Sequence, residues 1–374
     1  MTTCTLPEIT TPVSPKDEIN RAILEVAEDQ IKGFVRRPFS EIAKRSGVPV
    51  DVVIERIKAM LESGVIRRVR QTLLATNLAQ GALIAWKITP DKLEHAFALL
   101  SKEDPFSGHV VIRNSESGVT EWPLWTTIKV PTGFSLERHC DWIREQIGAE
   151  KYRIMPTIRQ FALGVGHMRR KNMEVGEKAD QPATDSIPAI VDLDARDWSV
   201  LVALKRDLAL DEVSDDVWTH RAKEAGVGLE EFFEVAESLD RRGVIGRFST
   251  FLEHTKPVGD ASERLSSFNG LFHWAVPKGK EIEAGREIGR YRILTHCYWR
   301  DGGPELNDVN IFAVAHGETK EQVMAHKAAI DRFLVESGIG LNFTNVYWGG
   351  RAEIKPSEIA PAVYREWASA RGLI

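Results

Sequence analysis

Glu62-Ser63-Gly64-Val65-Ile66-Arg67-Arg68-Val69 returns 179 residues later as Arg241-Arg242-Gly243-Val244-Ile245-Gly246-Arg247-Phe248. In both stretches a helical pattern stops at a glycine and an extended segment begins. Upstream of the first, Ile19, Ala22, Ile23, Val26 and Ala27 fall on one helical face, and Gly47 ends a short second helix. Val52, Val53, Ile57, Met60 and Leu61 line a third helix that stops at Gly64. Val65 to Leu74 then reads as a wing, so residues 16–75 predict a winged helix. Residues 191–255 repeat the order, with helices over 193–208, 216–225 and 229–242 and a wing from Val244 to His254.

A second repeat lies further along. Gly108-His109-Val110-Val111-Ile112-Arg113 returns as Thr295-His296-Cys297-Tyr298-Trp299-Arg300, 187 residues on, and the growth in offset fits an insertion near 256–269. Around the first of these, strands are predicted over 82–88, 109–114, 122–130 and 152–161, with helices over 91–101 and 136–148. That βαββαβ order is ferredoxin-like. The expected fold class is α+β, a tandem repeat of winged helix and ferredoxin-like domain. The ferredoxin-like domains span 80–168 and 268–350. Residues 171–190 lack an apolar period and read as a linker, 1–15 as a loose Thr/Pro-rich start, and 351–374 as a tail with a short helix over 361–371. The two βαββαβ sheets are expected to associate as a pseudo-dimer within the chain; further homodimerisation is left open.

At 374 residues, 43% hydrophobic and 28% charged, the chain suits two to four globular domains. A net charge of −5 offers no bulk attraction to nucleic acid or anionic membrane. Cys4, Cys140 and Cys297 are too far apart for a disulfide framework or a zinc site, which fits a reducing cytoplasm. No apolar run approaches membrane-spanning length, and the first residues lack a secretory signal. Ten Trp against five Tyr would suit a planar ligand, although core packing is the commoner cause. No P-loop, dinucleotide fingerprint, His-Glu-x-x-His or Gly-x-Ser-x-Gly occurs.

A winged helix feeding a βαββαβ domain resembles the Lrp/AsnC group of transcription regulators and their AsnC/RAM-like domain. The finer resemblance is to the siroheme decarboxylases, as though their two similar subunits were fused end to end. The family's wing is similar to Gly243-Val244-Ile245-Gly246-Arg247-Phe248-Ser249 followed by Glu253-His254. Its His-Cys-Tyr-x-Arg strand resembles His296-Cys297-Tyr298-Trp299-Arg300, and its aromatic-Asn-Leu-Phe-Ala-Met-x-His-Gly strand resembles Val309 to Gly317. Trp122-Pro123-Leu124-Trp125-Thr126-Thr127-Ile128 in the first copy is closer to the partner subunit's version. Ser249, Glu253, Val309 and Pro123 depart from the family residues, and the insertion after His254 is foreign to it.

The resemblance implies non-oxidative removal of carbon dioxide from acetate side chains of siroheme or a related iron tetrapyrrole, in haem-type cofactor biosynthesis. The tetrapyrrole would be bound as substrate, with no separate cofactor required. Such a reaction leaves electron density on a pyrrole-bound methylene, which must receive a proton. His254, His296, Tyr298 and His316 are the candidate proton donors, with His296 or Tyr298 favoured and His254 also able to ligate the substrate's iron. Arg247, Arg300 and Asn310, with Arg68, Arg113 and His109 from the first copy, are candidates for holding its carboxylates. Val111 stands where Tyr298 would be, and Lys129 where His316 would be, so the first copy reads as a scaffold half. Each candidate also has a plain reading as a packed or surface side chain.

The rival is a DNA-binding regulator; a tetrapyrrole sensor without catalysis is a third reading. Charge argues against DNA binding. The second recognition-type helix carries Glu230, Glu231, Glu234, Glu237 and Asp240 with no Lys or Arg before Arg241, and the first is no better than neutral.

Overall fold

The structure, a computed structural model, describes residues 11–118, 120–164, 173–181, 183–253 and 268–374. His254, residues 256–267 of the expected insertion, and parts of the expected loose start and linker lie outside them. The chain divides into two compact units. The first holds the described residues of Met1–Leu73 and Leu193–Leu265, and the second those of Leu74–Gly164, Arg170–Asp192 and Ser266–Ile374.

In the first unit the helices Glu18–Ala27, Pro38–Ser46 and Val50–Glu62 match Ala195–Lys205, Trp218–Glu224 and Leu229–Arg241. Ile23, Phe39, Ile42, Ile57 and Met60 are wholly buried, which is what their helical spacing requires. Gly64 and Gly243 take positive φ of 79° and 72°, the left-handed turn that ends each third helix, so the repeat keeps glycine there. The two wings do not stand apart. Ile66–Leu73 pairs antiparallel with Ile245–Leu252, whose other edge carries Ile31–Lys32. Each wing thereby covers an edge that the other would leave open.

The second unit contains two βαββαβ repeats in one nine-stranded sheet. In the first repeat the strand order is Lys151–Pro156, Ala79–Lys87, Leu124–Pro131, Ser107–Ser115; in the second it is Phe343–Ile354, Phe268–Ala275, Ile311–Gly317, Leu294–Trp299. The strand expected over 152–161 is two strands. Lys151–Pro156 pairs within its own copy, then the chain breaks at Pro156-Thr157-Ile158, and Arg159–Leu163 pairs with the second copy's Leu294–Trp299. Pro156 has no N–H to continue the ladder, which suits a strand end. Phe343–Ile354 makes the reciprocal crossing. It pairs with Phe268–Ala275, shifts register between Gly349 and Ala352, and continues against Ser107–Ser115. Each copy's last strand therefore pairs with a strand of the other copy.

Alternation along the strands makes three cores. Ile84, Trp86, Val110, Leu124 and Ile128 face the first copy's helices, and Trp274, Cys297, Ile311, Ala313 and Ala315 face the second's. Ala85, Trp125, Met155, Leu271, Phe312 and Tyr347 form a third cluster on the opposite face, drawn from strands of both copies. Trp86, Trp125 and Trp274 are packing residues, as is Trp218 in the first unit. The tail extends its strand to Ile354, then packs Tyr364 and Ala368 of the helix Pro361–Ser369 onto the first core. The segment read as a linker is held by polar pairs. Asp185 accepts from Arg159 at 2.5 Å and from Arg286 at 2.6 Å, and Ser186 exchanges backbone hydrogen bonds with Gln160.

Candidate active site

Cys297 and Trp299 point into the helix-side core, so the alternation puts His296, Tyr298 and Arg300 on the opposite face of the sheet. The His296 and Tyr298 rings lie near parallel at 29°, with centroids 6.0 Å apart, and the Arg300 guanidinium sits 4.7 Å over the Tyr298 ring. Burial pushes the Tyr298 phenol up to about 12, against the opposing pull of Arg300, so the hydroxyl keeps its proton at neutral pH. Thr295 donates its hydroxyl to the Val314 carbonyl at 3.2 Å, leaving its oxygen to accept from His296 Nδ1 at 2.9 Å. Proton exchange by His296 then falls to Nε2.

His316 shares that inward face, because Ala313 and Ala315 between its neighbours face the helices. One polar partner came unannounced by the sequence. Asn269 stands opposite it in register and accepts at Oδ1 from Arg113 Nη1, 3.1 Å away. The amide nitrogen then faces His316 Nε2 at 3.4 Å. Because that nitrogen can only donate, the imidazole accepts at Nε2, and its proton when neutral sits on Nδ1. In this arrangement His316 presents a lone pair to Asn269 rather than the acidic proton expected of it. Arg113, a residue of the first copy, is thus joined to a histidine of the second. Only the start of an apolar run, Phe268-Asn269-Gly270, marked Asn269 in the sequence.

Two expected carboxylate holders are otherwise engaged. Asn310 brackets Val276, accepting from its N–H and donating to its carbonyl, both at 2.9 Å. Its amide nitrogen also lies 3.4 Å from Glu281 Oε1. Arg113 and Arg300 are not freestanding forks either. Arg113 Nη1 also reaches the Tyr347 carbonyl at 3.3 Å, and Arg300 Nη1 reaches the Met155 carbonyl at 2.6 Å. Burial brings each guanidinium down to about 10, which leaves both cationic at neutral pH. His109 is exposed on Ser107–Ser115, opposite Ile354.

Arg68 and Arg247 belong to the first unit and lie on one face of its wing sheet with Arg70 and Lys32, as the pairings Arg68 with Phe251, Arg70 with Ser249 and Lys32 with Arg247 require. Burial lowers Arg70, Asp207 opposes that, and Arg68, Arg67 and Arg247 add to it. Burial likewise lowers Arg247, against Asp29 and Glu28. The face is a concentration of cations suited to several carboxylates. Among the described residues no group of three or more His, Cys, Asp or Glu could hold a metal ion, and no helix is long and apolar enough to cross a membrane.

The model of the AsnC-like ligand binding domain matches residues 78–162 and 266–337, and that of the siroheme decarboxylase NirDL-like HTH domain matches residues 33–67. A siroheme decarboxylase of Hydrogenobacter thermophilus is 25% identical over 325 residues, covering 86% of this chain and 90% of that protein. A siroheme decarboxylase NirDL subunit of Paracoccus denitrificans is 25% identical over 294 residues, or 77% and 82% of the two chains. The crystal structure of the siroheme decarboxylase NirDL in co-complex with an iron-uroporphyrin III analogue superimposes with a TM-score of 0.65 at 21% identity, over 94% of this chain and 99% of that one.

Proposed function

Because the chain belongs to the NirDL-like siroheme decarboxylase family, we propose that it removes carbon dioxide, without oxidation, from acetate side chains of siroheme or a related iron tetrapyrrole. The observation that carries this reading is the row His296, Tyr298, Arg300, which sets two proton-bearing rings beside a buried cation on one face. The bond between the acetate methylene and its carboxyl carbon breaks, and its electron pair stays on the methylene. Tyr298 or His296 Nε2 delivers a proton to that carbon, leaving a methyl group, and the acid recovers its proton from solvent. Arg300 fixes a carboxylate, and the apolar surroundings strip water from the one that leaves. The wing cations Arg68 and Arg247 are assigned to carboxylate binding. We place the protein in the cytoplasm, working as a pseudo-dimer within one chain.

The rival DNA reading has the winged helices in its favour. The helix Leu229–Arg241 weighs against it, since Glu237 and Glu230 engage Arg36 at 2.8 and 3.2 Å and Asp240 accepts from the Phe34 N–H at 3.1 Å. Its acids tie the winged helices together instead of leaving a basic face for phosphate. The deciding experiment is anaerobic incubation with siroheme, reading product mass. Loss of one or two carbon dioxide units supports the enzyme. An unchanged mass with a shifted absorption band would make the protein a sensor.

A further inference from the structure

The two copies place different groups at equivalent positions of the inner face. In the second copy, His316, Asn269 and Arg113 are linked by hydrogen bonds of 3.4 and 3.1 Å. The repeat places Lys129 where His316 stands, Gly81 where Asn269 stands, and Arg300 where Arg113 stands. Ile128 and Val130 face the first copy's helices, so Lys129 lies on the inward side with Trp125. It is half-buried and stands opposite Gly81 in register.

That glycine is what gives Lys129 its course. A Cβ on Gly81 would lie 3.0 Å from Lys129 Cγ and 3.7 Å from Cδ, so the lysine stem runs across the strand where a side chain would otherwise project. The strand beyond Gly81 is Lys151–Pro156, and its Met155 carbonyl is the group that holds Arg300. The lysine and the arginine therefore approach from opposite copies. Burial, with the Arg300 charge adding to it, pulls the Lys129 ammonium down to about 8.

Among the described residues no hydrogen bond or ion pair reaches the Lys129 amine, and no carboxylate pairs with Arg300, which uses one of its five N–H donors on Met155. Two partly desolvated cations facing each other without an acid is a costly arrangement unless an anion completes it. The internally bonded end at His316 has no such deficit. We propose that Lys129 and Arg300 together hold one carboxylate of the substrate, which makes Lys129 a binding residue supplied by the copy that otherwise reads as scaffold. This rests on the tetrapyrrole reading above. Arginine offers the planar fork and lysine a point charge, a pairing that suits one carboxylate flanked on two sides.

The test is anaerobic absorbance titration of siroheme into wild type, Lys129→Met and Lys129→Arg, with thermal melts of each without siroheme and turnover at saturating siroheme. Lys129→Met should weaken binding about tenfold or more, the scale of a lost charge-assisted hydrogen bond. Turnover at saturation should stay within about threefold, since uniform binding leaves kcat little changed. Its melting temperature should be unchanged or higher, because an unpaired buried cation has been replaced by an apolar chain. Lys129→Arg should recover most of the affinity. The inference is overturned if Lys129→Met binds siroheme as wild type does. It is equally overturned if that variant melts lower and Lys129→Arg rescues nothing, which is the mark of a packing residue. Wild type failing to bind siroheme would instead remove the functional reading, and this inference with it.

Discussion

Arg113 and Arg300 occupy equivalent places in the two copies, and each donates Nη1 to a backbone carbonyl of the other copy, Tyr347 at 3.3 Å and Met155 at 2.6 Å. Each arginine thereby ties its own copy to the backbone of the other. Their surroundings differ, however. Arg113 has a second acceptor in Asn269, whereas Arg300 lies over the Tyr298 ring and feels no acid. Arg113→Met should therefore lower stability by about 1–3 kcal/mol, the cost of stranding buried polar groups. Arg300→Met should cost less stability and more siroheme affinity. Urea unfolding midpoints beside siroheme titrations separate the two, and equal losses in both measurements would sink the distinction.

The proton donor is the next point of attack. Tyr298→Phe keeps the ring beneath Arg300 and removes only the hydroxyl, while His296→Ala removes the imidazole that Thr295 orients. Whichever group is the acid, its loss should lower decarboxylation by on the order of 100-fold with tetrapyrrole binding still measurable. His109→Ala, at an exposed position, should cost much less. Single-turnover rates with siroheme provide the comparison. A His109→Ala defect as large as both others would move the working site into the first copy's strand.

Much of this architecture could be read from the chain because its signals are local. Gly64 and Gly243 each end a helix in a left-handed turn, and the alternation of Ile311, Ala313 and Ala315 with Phe312 and Val314 fixes two faces without a partner. The pairing between copies was not legible, because nothing in the run 152–161 says that its halves pair with different copies. Site residues fared unevenly for the same reason. His296, Tyr298 and Arg300 are singled out by a resemblance carried on one short strand segment, so no tertiary contact is needed to name them. Asn269 and Lys129 are single polar residues whose meaning depends on what lies across the sheet. Asn310 is named from the resemblance, and its bracket on Val276 is a tertiary contact the sequence does not announce.

A buried acid outside the site sets the expected response to low pH. Asp104 is fully buried, accepting from Ser107 Oγ at 2.6 Å and the Phe106 N–H at 3.0 Å, with His139 Nε2 at 3.4 Å. Burial pushes its carboxyl up, but the His139 ring, the Ser107 hydroxyl and the Phe106 amide outweigh that and hold it below the ordinary 3.8. Since the folded value lies below the unfolded one, the stabilisation is complete above the unfolded value and is lost as pH falls through the folded one. The network also reaches the tail helix through Tyr364, 3.3 Å from His139 Nδ1. Asp104→Asn should lower the urea midpoint at pH 7, and should lose less further stability than wild type between about pH 4 and pH 2. Parallel curves for the two proteins over that acid range would show that Asp104 contributes nothing to it.

The winged helices make one last expectation worth stating against their usual employment. Glu230, Glu237 and Asp240 of the recognition-type helix are committed to Arg36 and Phe34, and Arg196 pairs with Glu231. Phosphate would have to displace arginines already neutralised by these acids. The basic face of the wing sheet is a counterweight in that unit, and it carries Arg68, Arg70 and Arg247 together with the aromatic ring of Phe251. Binding to a random duplex at physiological salt should accordingly be no tighter than the ~10⁻⁴–10⁻⁶ M of ordinary non-specific association. Raising the salt should abolish it without revealing a preferred sequence. Fluorescence anisotropy on random and enriched duplexes checks this directly. A nanomolar, sequence-dependent complex would overturn the enzyme reading in favour of a regulator, whereas siroheme turnover unaffected by excess duplex would leave the winged helices as scaffold.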